Sequence, residues 1–467
     1  MTSRAAIVAL WLFMSLNAIR SAADGGSPQA AAQPVSFHSD VRPILQRKCQ
    51  GCHQPAKANG KLVLTTFETL TKGGEGGAAV QPGKPDDSIL VEQITGDPPA
   101  MPQNAPPLSA KEVDLIKRWI AEGAKDDTPP AAKDPIDQDH PPIYKAPPVI
   151  SALAFSPDGN MLAVSGYREV LLHKADGSGL VGRLVGQSHR IESLVYSPDG
   201  KLLAAVGGKP AVFGEVQFWE TASNKLKHSE IIGYDVFYGA SFSPDGARLA
   251  FGSADKSARV VEAPGGKVKV KIDQHDDWCF GAAFSIDGKH LVTPGRDRAL
   301  KLMESETGSF IDNITSITPG VLGGPLYFVA RRPQKNEFIT GGDDSVPKLY
   351  KMLRTQGRQI GDDFNLIRNY EKMAGRVTCA AFNKDGSKLV VGGLGGEARL
   401  FKVDDGARLA TLAGHRGAVF AVAFHPGGEL IATGGIDGQV RIFEAAMGNV
   451  VKTFVPVPMQ PEVATNK

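Results

Sequence analysis

The chain has 467 residues, and its 52 lysines and arginines almost balance its 50 aspartates and glutamates, which gives a formal net charge of +2. This length predicts at least two domains with full cores, and 53 glycines and 32 prolines favour turns and short strands. The balanced charge, without a basic cluster or a basic helix, argues against a nucleic-acid-binding protein.

The amino-terminal segment 1–23 is typical of a secretory signal peptide. Arg4 precedes an apolar run, 5–16, and the small residues Ser21 and Ala23 suit signal peptidase. The run is about a dozen residues long, shorter than the ~20 that a membrane-spanning helix needs. We therefore predict a protein that is periplasmic or otherwise exported, with no transmembrane segment after cleavage. A retained amino-terminal anchor is the alternative.

Residues 49–53 read CQGCH, the most specific motif of the chain. The C-x-x-C-H run is typical of covalent c-type haem attachment. Two thiols three residues apart face the same way on a helical turn, so both can add to one haem, and the next imidazole lies under the iron. A zinc site would need about four ligands, and no second C-x-x-C or H-x-x-x-H completes one. We predict one covalent haem c, with Cys49 and Cys52 as thioethers and His53 as an axial iron ligand.

Helical patterns stand on both sides of this motif. Residues 37–48 predict a first helix, with Asp40 as its N-cap and Pro43 inside its first turn. Ser109 and Glu112 have the spacing of a capping box at the start of a last helix. The apolar residues that then recur at helical spacing are Leu115, Ile116, Trp119 and Ile120.

The second axial ligand of the iron has to come from elsewhere in the chain. Met101 stands in a proline-rich stretch without periodicity, which predicts a loop before the last helix. A methionine in such a loop has little core to fill, and Pro99 and Pro102 would stiffen the loop around it. We predict Met101 as the second ligand, with His38 and His140 as fallback ligands.

These motifs together resemble the planctomycete-type cytochrome c domain. The matching residues include Val35, Phe37, Asp40, Val41, Pro43, Ile44, Leu45, Cys49, Cys52, His53, Gly60, Leu62, Gly73, Gly74, Pro82, Gly83, Pro85, Ser88, Leu90, Met101 and Pro102. The resemblance covers about 90 residues and implies a small all-α, class I-like cytochrome c domain at 35–125, with histidine and methionine ligation. It implies no substrate.

Prolines dominate the segment 126–148, which we interpret as a linker. Such a segment cannot form a central strand and prefers extended polyproline geometry, so it predicts a semi-rigid spacer. His140 and Tyr144 fall within it and are interpreted as linker residues able to dock on a neighbouring surface.

After the linker, a fragment of the form A-F-S-P-D-G recurs along the chain. Its copies begin at Ala154, Val195, Ser241, Ala283, Ala381 and Ala423, and a degenerate copy runs through 327–336. Seven copies, mostly roughly 41 to 46 residues apart, predict an all-β, seven-bladed propeller at 149–455, followed by a tail at 456–467. The WD dipeptide itself is absent, so the segment resembles a divergent WD-repeat propeller.

Several propeller residues also occur in functional sites of other proteins. His189, His275 and His415 each precede the first strand of a repeat, and Asp255, Asp297 and Asp437 occupy a tight turn. In WD-repeat proteins such a histidine joins a structural hydrogen-bond network with the aspartate, and we interpret these residues in the same way. Cys279 and Cys379 are interpreted as small core residues, although an oxidising compartment would permit a disulfide between them.

Two features of the propeller leave alternatives open. The long insert 352–374 is either a solvated loop or part of a binding face. The ring could close with 450–454 as the outer strand of its own blade, or with residues near 143–144 capping that blade.

The leading functional hypothesis is an exported monohaem c-type cytochrome whose propeller is a protein-docking platform. Its partners would be a redox protein, a protein docked on the propeller, or both. One alternative is a periplasmic oxidoreductase with its active site in the propeller and the haem as an electron relay; another is a redox-sensing scaffold. Residues 150–450 contain no second cofactor motif or nucleophile–base pair, which argues against the enzyme.

Overall fold

The computed structural model describes residues 33–54, 57–103, 105–129, 136–316, 318, 323–359 and 361–460. The predicted signal peptide, 1–23, lies outside the described residues. Residues from Val35 onward belong to one unit, in which a helical region and a β-propeller are in contact. No helix within the described residues is long and apolar enough to cross a bilayer.

The first part of this unit is small and mostly helical. Its elements are a π-helical turn (Phe37–Val41), α1 (Arg42–Lys48), β1 (His53–Gln54), β2 (Lys57–Ala58), a 3-10 turn (Asn59–Lys61), α2 (Phe67–Lys72), a 3-10 turn (Pro85–Asp87), α3 (Ile89–Ile94) and α4 (Ala110–Ala121). The first and last elements meet, because the rings of Phe37 and Trp119 pack with their centroids 5.2 Å apart.

The first helix begins differently from the prediction. Ser36, not Asp40, is the N-cap: its Oγ accepts the N–H of Ser39 at 2.9 Å, and its own N–H donates to the Asp40 carboxylate at 2.9 Å. The reciprocal bonds start the helix before Asp40, as a π turn that α1 follows. The capping box of α4 is confirmed, since Ser109 and Glu112 exchange side-chain-to-backbone hydrogen bonds.

Within the described residues, seven four-stranded antiparallel sheets follow, each built from four consecutive strands. Blade 1 holds β3 (Leu153–Phe155), β4 (Met161–Ser165), β5 (Glu169–Lys174) and β6 (Leu180–Val185); blade 2 holds β7 (Arg190–Tyr196), β8 (Leu202–Lys209), β9 (Phe213–Glu220) and β10 (Lys225–Ile232). Blade 3 holds β11 (Phe237–Phe242), β12 (Arg248–Ser253), β13 (Ala258–Glu262) and β14 (Val268–Ile272); blade 4 holds β15 (Ala283–Phe284), β16 (His290–Pro294), β17 (Leu300–Glu304) and β18 (Phe310–Asn313).

The remaining strands complete the ring. Blade 5 holds β19 (Leu326–Arg331), β20 (Glu337–Gly342), β21 (Lys348–Lys351) and β22 (Leu366–Asn369); blade 6 holds β23 (Val377–Phe382), β24 (Lys388–Gly393), β25 (Ala398–Lys402) and β26 (Arg408–Leu412). Blade 7 holds β27 (Val419–Phe424), β28 (Leu430–Gly435), β29 (Val440–Glu444) and β30 (Val450–Phe454). The predicted seven-bladed propeller is confirmed.

The recurring S-P-D-G fragment forms the turn between the first and second strands of a blade. In blade 1, Ser156 Oγ donates to Asp158 and accepts the N–H of Met161 at 3.0 Å, which closes the turn. Gly159 has φ = +78°, a conformation that residues with a β-carbon rarely adopt. The same serine–aspartate bond recurs in blades 2, 3 and 4, so these four repeats share one turn.

Two of the three predicted histidines form the expected network with an aspartate. His275 bonds Asp297 at 3.0 Å and Thr293 at 2.7 Å. In blade 7, His415 bonds Asp437 at 3.1 Å and a threonine at 2.7 Å. Each network joins the segment before a blade to the turn between its second and third strands, so these histidines are structural.

The other members of the set behave differently. His189 packs its ring against that of Tyr167, with centroids 5.3 Å apart. Asp255 is paired with Arg259 instead of a histidine, and Gly233 lies beside this pair. The same pairing with a cation four residues later occurs at Asp297 with Lys301 and at Asp437 with Arg441, so blade 3 keeps the cation without the histidine.

The ring closes within its own blades. The last strand, β30, is the outer strand of blade 7, and the first strands of blades 7 and 1 pack together. The linker also takes part, because Tyr144 pairs in parallel with Met459 and its carbonyl accepts the N–H of Gln460 at 3.0 Å. The tail after blade 7 and the linker before blade 1 are thus joined.

The structure also shows where the insert 352–374 and the two propeller cysteines lie. Within the insert, Arg354 pairs with Asp362 at 2.8 Å, and Arg358 reaches Asp312 of β18 at 2.6 Å. The second of these ion pairs holds the insert against blade 4, and residues 366–369 of the insert are β22 of blade 5. Cys279 and Cys379 belong to different apolar clusters and form no disulfide.

The His275 network predicts a pH-dependent stability. Burial opposes the charge on His275, but the hydrogen bond to Asp297 raises its pKa to about 9. His275 holds its proton more tightly in the folded state than in the unfolded chain, so it stabilises the fold fully at pH values below the ordinary histidine pKa. This stabilisation is lost as the pH rises through about 9. We expect a loss on the order of 2 kcal/mol in the free energy of unfolding between pH 7 and 10, measured by urea denaturation.

The substitution His275→Gln should remove this alkaline loss. His415→Gln is the matched control, because burial lowers the pKa of His415 and its titration falls at acid pH. An unchanged alkaline slope in His275→Gln would contradict the assignment.

Candidate haem site

The C-x-x-C-H motif begins where α1 ends. Cys49 is the C-cap of that helix, and its N–H donates to Leu45 at 2.9 Å. Its carbonyl accepts the N–H groups of Cys52 at 3.2 Å and of His53 at 3.1 Å. Residues 49–53 therefore form one turn, the arrangement that attachment of both thiols to one haem requires.

Neighbouring segments fix the orientation of this turn. His53 lies on β1, and its carbonyl accepts the N–H of Leu64 at 2.9 Å. The buried Gln50 donates its side-chain amide to the carbonyl of the same leucine at 2.6 Å. The backbone of Leu64 thus holds the motif at two points, one on each side of Cys52.

Met101 packs on the same apolar core as the motif. Both Met101 and Cys49 contact the buried cluster of the helical region, and Met101 N–H donates to Gln93 of α3 at 2.8 Å. Burial raises the pKa of the Cys49 thiol to about 12, because a thiolate there would lose its hydration. Cys49 and Met101 thus share one apolar core, and Cys52 and His53 follow Cys49 on the same turn. Two thiols, an imidazole and a thioether fit the donor set of haem c.

The two fallback ligands have other partners. His38 lies beside Arg42, with 3.3 Å between Nδ1 and Nη1, and its N–H donates to Asp127. His140 is exposed and bonds Asp137 at 3.1 Å. Neither of these contacts involves the motif.

The helical region rests on blade 2 through the motif itself, a contact that the sequence analysis missed. A β-carbon at Gly51 would clash with the carbonyl oxygen of Ser229 on β10. Beside it, the Arg47 guanidinium lies 5.3 Å from the ring centroid of Tyr234. Gln54, next to His53, meets a glutamine of the propeller at 3.5 Å. The haem motif is therefore part of an internal interface.

A fully buried carboxyl group lies behind this interface. Glu215 of β9 accepts hydrogen bonds from Ser229 Oγ at 2.6 Å, Ser188 Oγ at 2.7 Å and Gln217 Nε2 at 2.8 Å. Burial raises the pKa of Glu215, because a carboxylate there loses its hydration, and the three hydrogen bonds oppose this rise without reversing it. The only sequence signal for it is one glutamate inside the strand FGEVQFWE.

The two ends of the propeller channel are both rich in aromatic residues. A cavity of about 460 Å³ lies at the end of the first strands, and its lining includes Phe155, Tyr196, Phe242, Phe382 and Phe424. At the starts of β11 and β19 and just before β15, the rings of Tyr238, Trp278, Phe280 and Tyr327 form a connected cluster, with contacting centroids 5.2–6.3 Å apart. Among the residues that the structure describes, no group of three or more His, Cys, Asp or Glu could hold a metal ion.

Two family models match parts of the chain. Residues 49–104 match the family described as Planctomycete cytochrome C, and residues 406–444 match the WD domain, G-beta repeat. Both resemblances noted from the sequence are thus confirmed, and the seven sheets extend the repeat arrangement from blade 7 to the whole ring. No curated protein matches the chain.

The close contact at Gly51 predicts an effect of a single methyl group. In Gly51→Ala the new β-carbon meets a backbone carbonyl that cannot rotate away, so the helical region has to shift from blade 2. We expect a loss of about 1–3 kcal/mol in the free energy of unfolding, measured by urea denaturation.

Gly179→Ala is the control for this substitution. A β-carbon at Gly179 meets no atom within 4 Å, so the backbone change is the same without the clash. Equal unfolding midpoints for the two variants would contradict the internal interface.

Proposed function

We propose that the protein is an exported monohaem c-type cytochrome that carries single electrons and uses its propeller to dock a protein partner. The observation that carries the proposal is the C-x-x-C-H turn on an apolar core, inside the segment that matches Planctomycete cytochrome C. A haem bound there supplies a one-electron iron couple. The proposal includes export because segment 1–23 has the pattern of a secretory signal peptide. Attachment of c-type haem outside the cytoplasm agrees with export.

Each site residue has a distinct role in this proposal. Cys49 and Cys52 form the two thioether bonds and fix the position of the group. His53 is the nitrogen ligand, and its strand is held by the backbone of Leu64. Met101 would provide the sulfur ligand, which favours the reduced state relative to a second histidine.

The propeller supports the docking part of the proposal. The aromatic cluster at one channel mouth includes Trp278, which is 38% exposed, with Arg296 5.4 Å from its ring centroid. Tryptophan, tyrosine and arginine carry most of the binding energy at protein interfaces. The near-zero net charge suggests that shape and apolar contact, rather than long-range attraction, select the partner.

The first test of the proposal is covalent attachment. Expressed in a strain that matures c-type cytochromes, the chain should keep one haem through denaturation, as a mass increase and a haem-stained band show. The double variant Cys49→Ser/Cys52→Ser should lose it completely, whereas the control Cys379→Ser should retain it. A colourless wild-type protein with both motif thiols open to alkylation would overturn the proposal.

The second test concerns the ligand opposite His53. Met101→His replaces sulfur with nitrogen and should lower the reduction potential by on the order of 0.1 V or more, measured by spectroelectrochemistry. Met447, which is 73% exposed on blade 7, provides the control Met447→Leu with an unchanged potential. Equal potentials for wild type and Met101→His would assign the sixth position to another residue.

A further inference from the structure

We propose that Glu215 is a proton-binding site coupled to the haem, taking up one proton when the iron gains an electron and releasing it when the electron leaves. The step balances: Fe(III), one electron, the Glu215 carboxylate and one proton give Fe(II) and the neutral carboxylic acid. The inference rests on the proposed function, because it needs a haem at the C-x-x-C-H motif. It assigns a proton to a propeller residue that the electron-carrier proposal leaves without a role.

The first argument is the environment of the carboxyl group. Glu215 is 0% exposed, and its hydrogen-bond donors are two hydroxyl groups and one amide. These donors can stabilise a carboxylate, and a serine hydroxyl can also rotate to accept from a carboxylic acid. The site can therefore hold both protonation states without rearrangement of the backbone.

A second buried glutamate in the neighbouring blade shows the contrast. Glu169 is also 0% exposed, but Arg183 donates to its two oxygens at 2.6 and 2.7 Å, and Tyr144 donates to it at 2.7 Å. The bidentate Arg183 therefore compensates the negative charge of the Glu169 carboxylate. The hydrogen bonds that Glu215 accepts from Ser188, Gln217 and Ser229 come from neutral groups, so its charge is the one that a nearby change of charge can shift.

The second argument is the position of Glu215 relative to the motif. Ser229 donates to Glu215, and its carbonyl oxygen is the atom against which Gly51 is seated. A separate connection runs through Ser188, which also donates to Glu215 and follows the glutamine that meets Gln54. Two short routes through buried groups thus join the carboxyl group to the middle of the motif turn and to the residue that follows it.

Of the charged groups near the site, Arg168 from the turn between β4 and β5 acts on Glu215, whereas Lys209 and Arg42 act on His189, which follows Ser188. The pair His228–Glu230 flanks Ser229 along β10. The nearby Arg168 lowers the pKa of Glu215, but burial outweighs it and the net direction is upward. Burial and Arg168 lower the pKa of His189 to about 4, so this imidazole is neutral where Glu215 titrates.

The sign of the coupling follows from electrostatics. Oxidation adds one positive charge to the haem region, which favours the carboxylate and lowers the pKa of Glu215, whereas reduction raises it. In a buried interface this attraction is screened much less than between exposed groups. The reduction potential should therefore fall with rising pH between the two pKa values of Glu215, and should be flat on either side.

The experiment is a potentiometric titration of the full haem-containing chain from pH 5 to 9. Glu215→Gln keeps the shape of the side chain and removes its charge, so its potential should be independent of pH in this window. That potential should equal the low-pH value of the wild type and exceed its high-pH value. Ser229→Ala, a milder variant, should move the pH-dependent window to higher pH, because the carboxylate loses one donor.

The matched control is Glu192→Gln. Glu192 lies on β7 of the same blade, and burial raises its pKa as well, but it pairs with Arg190 at 2.7 Å and not with the residues behind the motif. This variant should keep the pH dependence of the wild type. Loss of the slope in Glu192→Gln together with Glu215→Gln would overturn the assignment.

An infrared measurement supplies an independent readout. The reduced-minus-oxidised difference spectrum should contain the C=O band of a protonated carboxyl group, and the band should disappear in Glu215→Gln. A haem-containing wild type with a flat potential and no such band would overturn this inference alone. A chain that binds no haem under maturation would overturn the proposed function as well.

Discussion

The contact between Gly51 and the carbonyl of Ser229 governs how the two parts of this molecule are related. It is a backbone-to-backbone approach that leaves no room for a methyl group, and it lies inside the motif that the haem requires. Because β10 is the outer strand of blade 2, its free edge would otherwise face solvent. The helical region contacts β10, and the same contact brings the motif close to the buried carboxyl group of Glu215 in the propeller.

The propeller provides a rigid base for this contact because its blades repeat one construction. Each S-P-D-G turn closes through its own serine and aspartate, and the His–Asp–Thr networks of blades 4 and 7 tie adjacent segments to their blades. Stability in such repeats comes mainly from each unit and its neighbours. Blade 7 uses its own four strands, so closure depends on packing between the first strands of blades 7 and 1 and on the Tyr144–Met459 pairing.

Local patterns were predictable from the sequence, and contacts between distant segments were not. The capping box of Ser109, the spacing of the seven repeats and the C-x-x-C-H turn all depend on residues close in the chain. The sequence prediction placed the N-cap at Asp40 and missed Ser36. The hydrogen bond between Ser36 and Asp40 has no sequence signature as clear as a capping box. Glu215 and Gly51 looked ordinary, since their importance arises only when β9 and β10 meet a segment more than a hundred residues away. The linker prediction gave extended chain but not its partners, which belong to blade 1.

Those linker partners have a consequence for how electrons would reach the protein. Gln138 donates to the backbone of Arg183 at 2.8 Å, Arg168 binds the carbonyl of Ile136, and Tyr144 is buried against Glu169. The described end of the linker is therefore fastened to blade 1 and does not serve as a swinging tether. Under the proposed function, a donor or acceptor would have to come to a haem region held against the propeller, and the encounter geometry, rather than the reach of a mobile arm, would set which proteins exchange electrons with it.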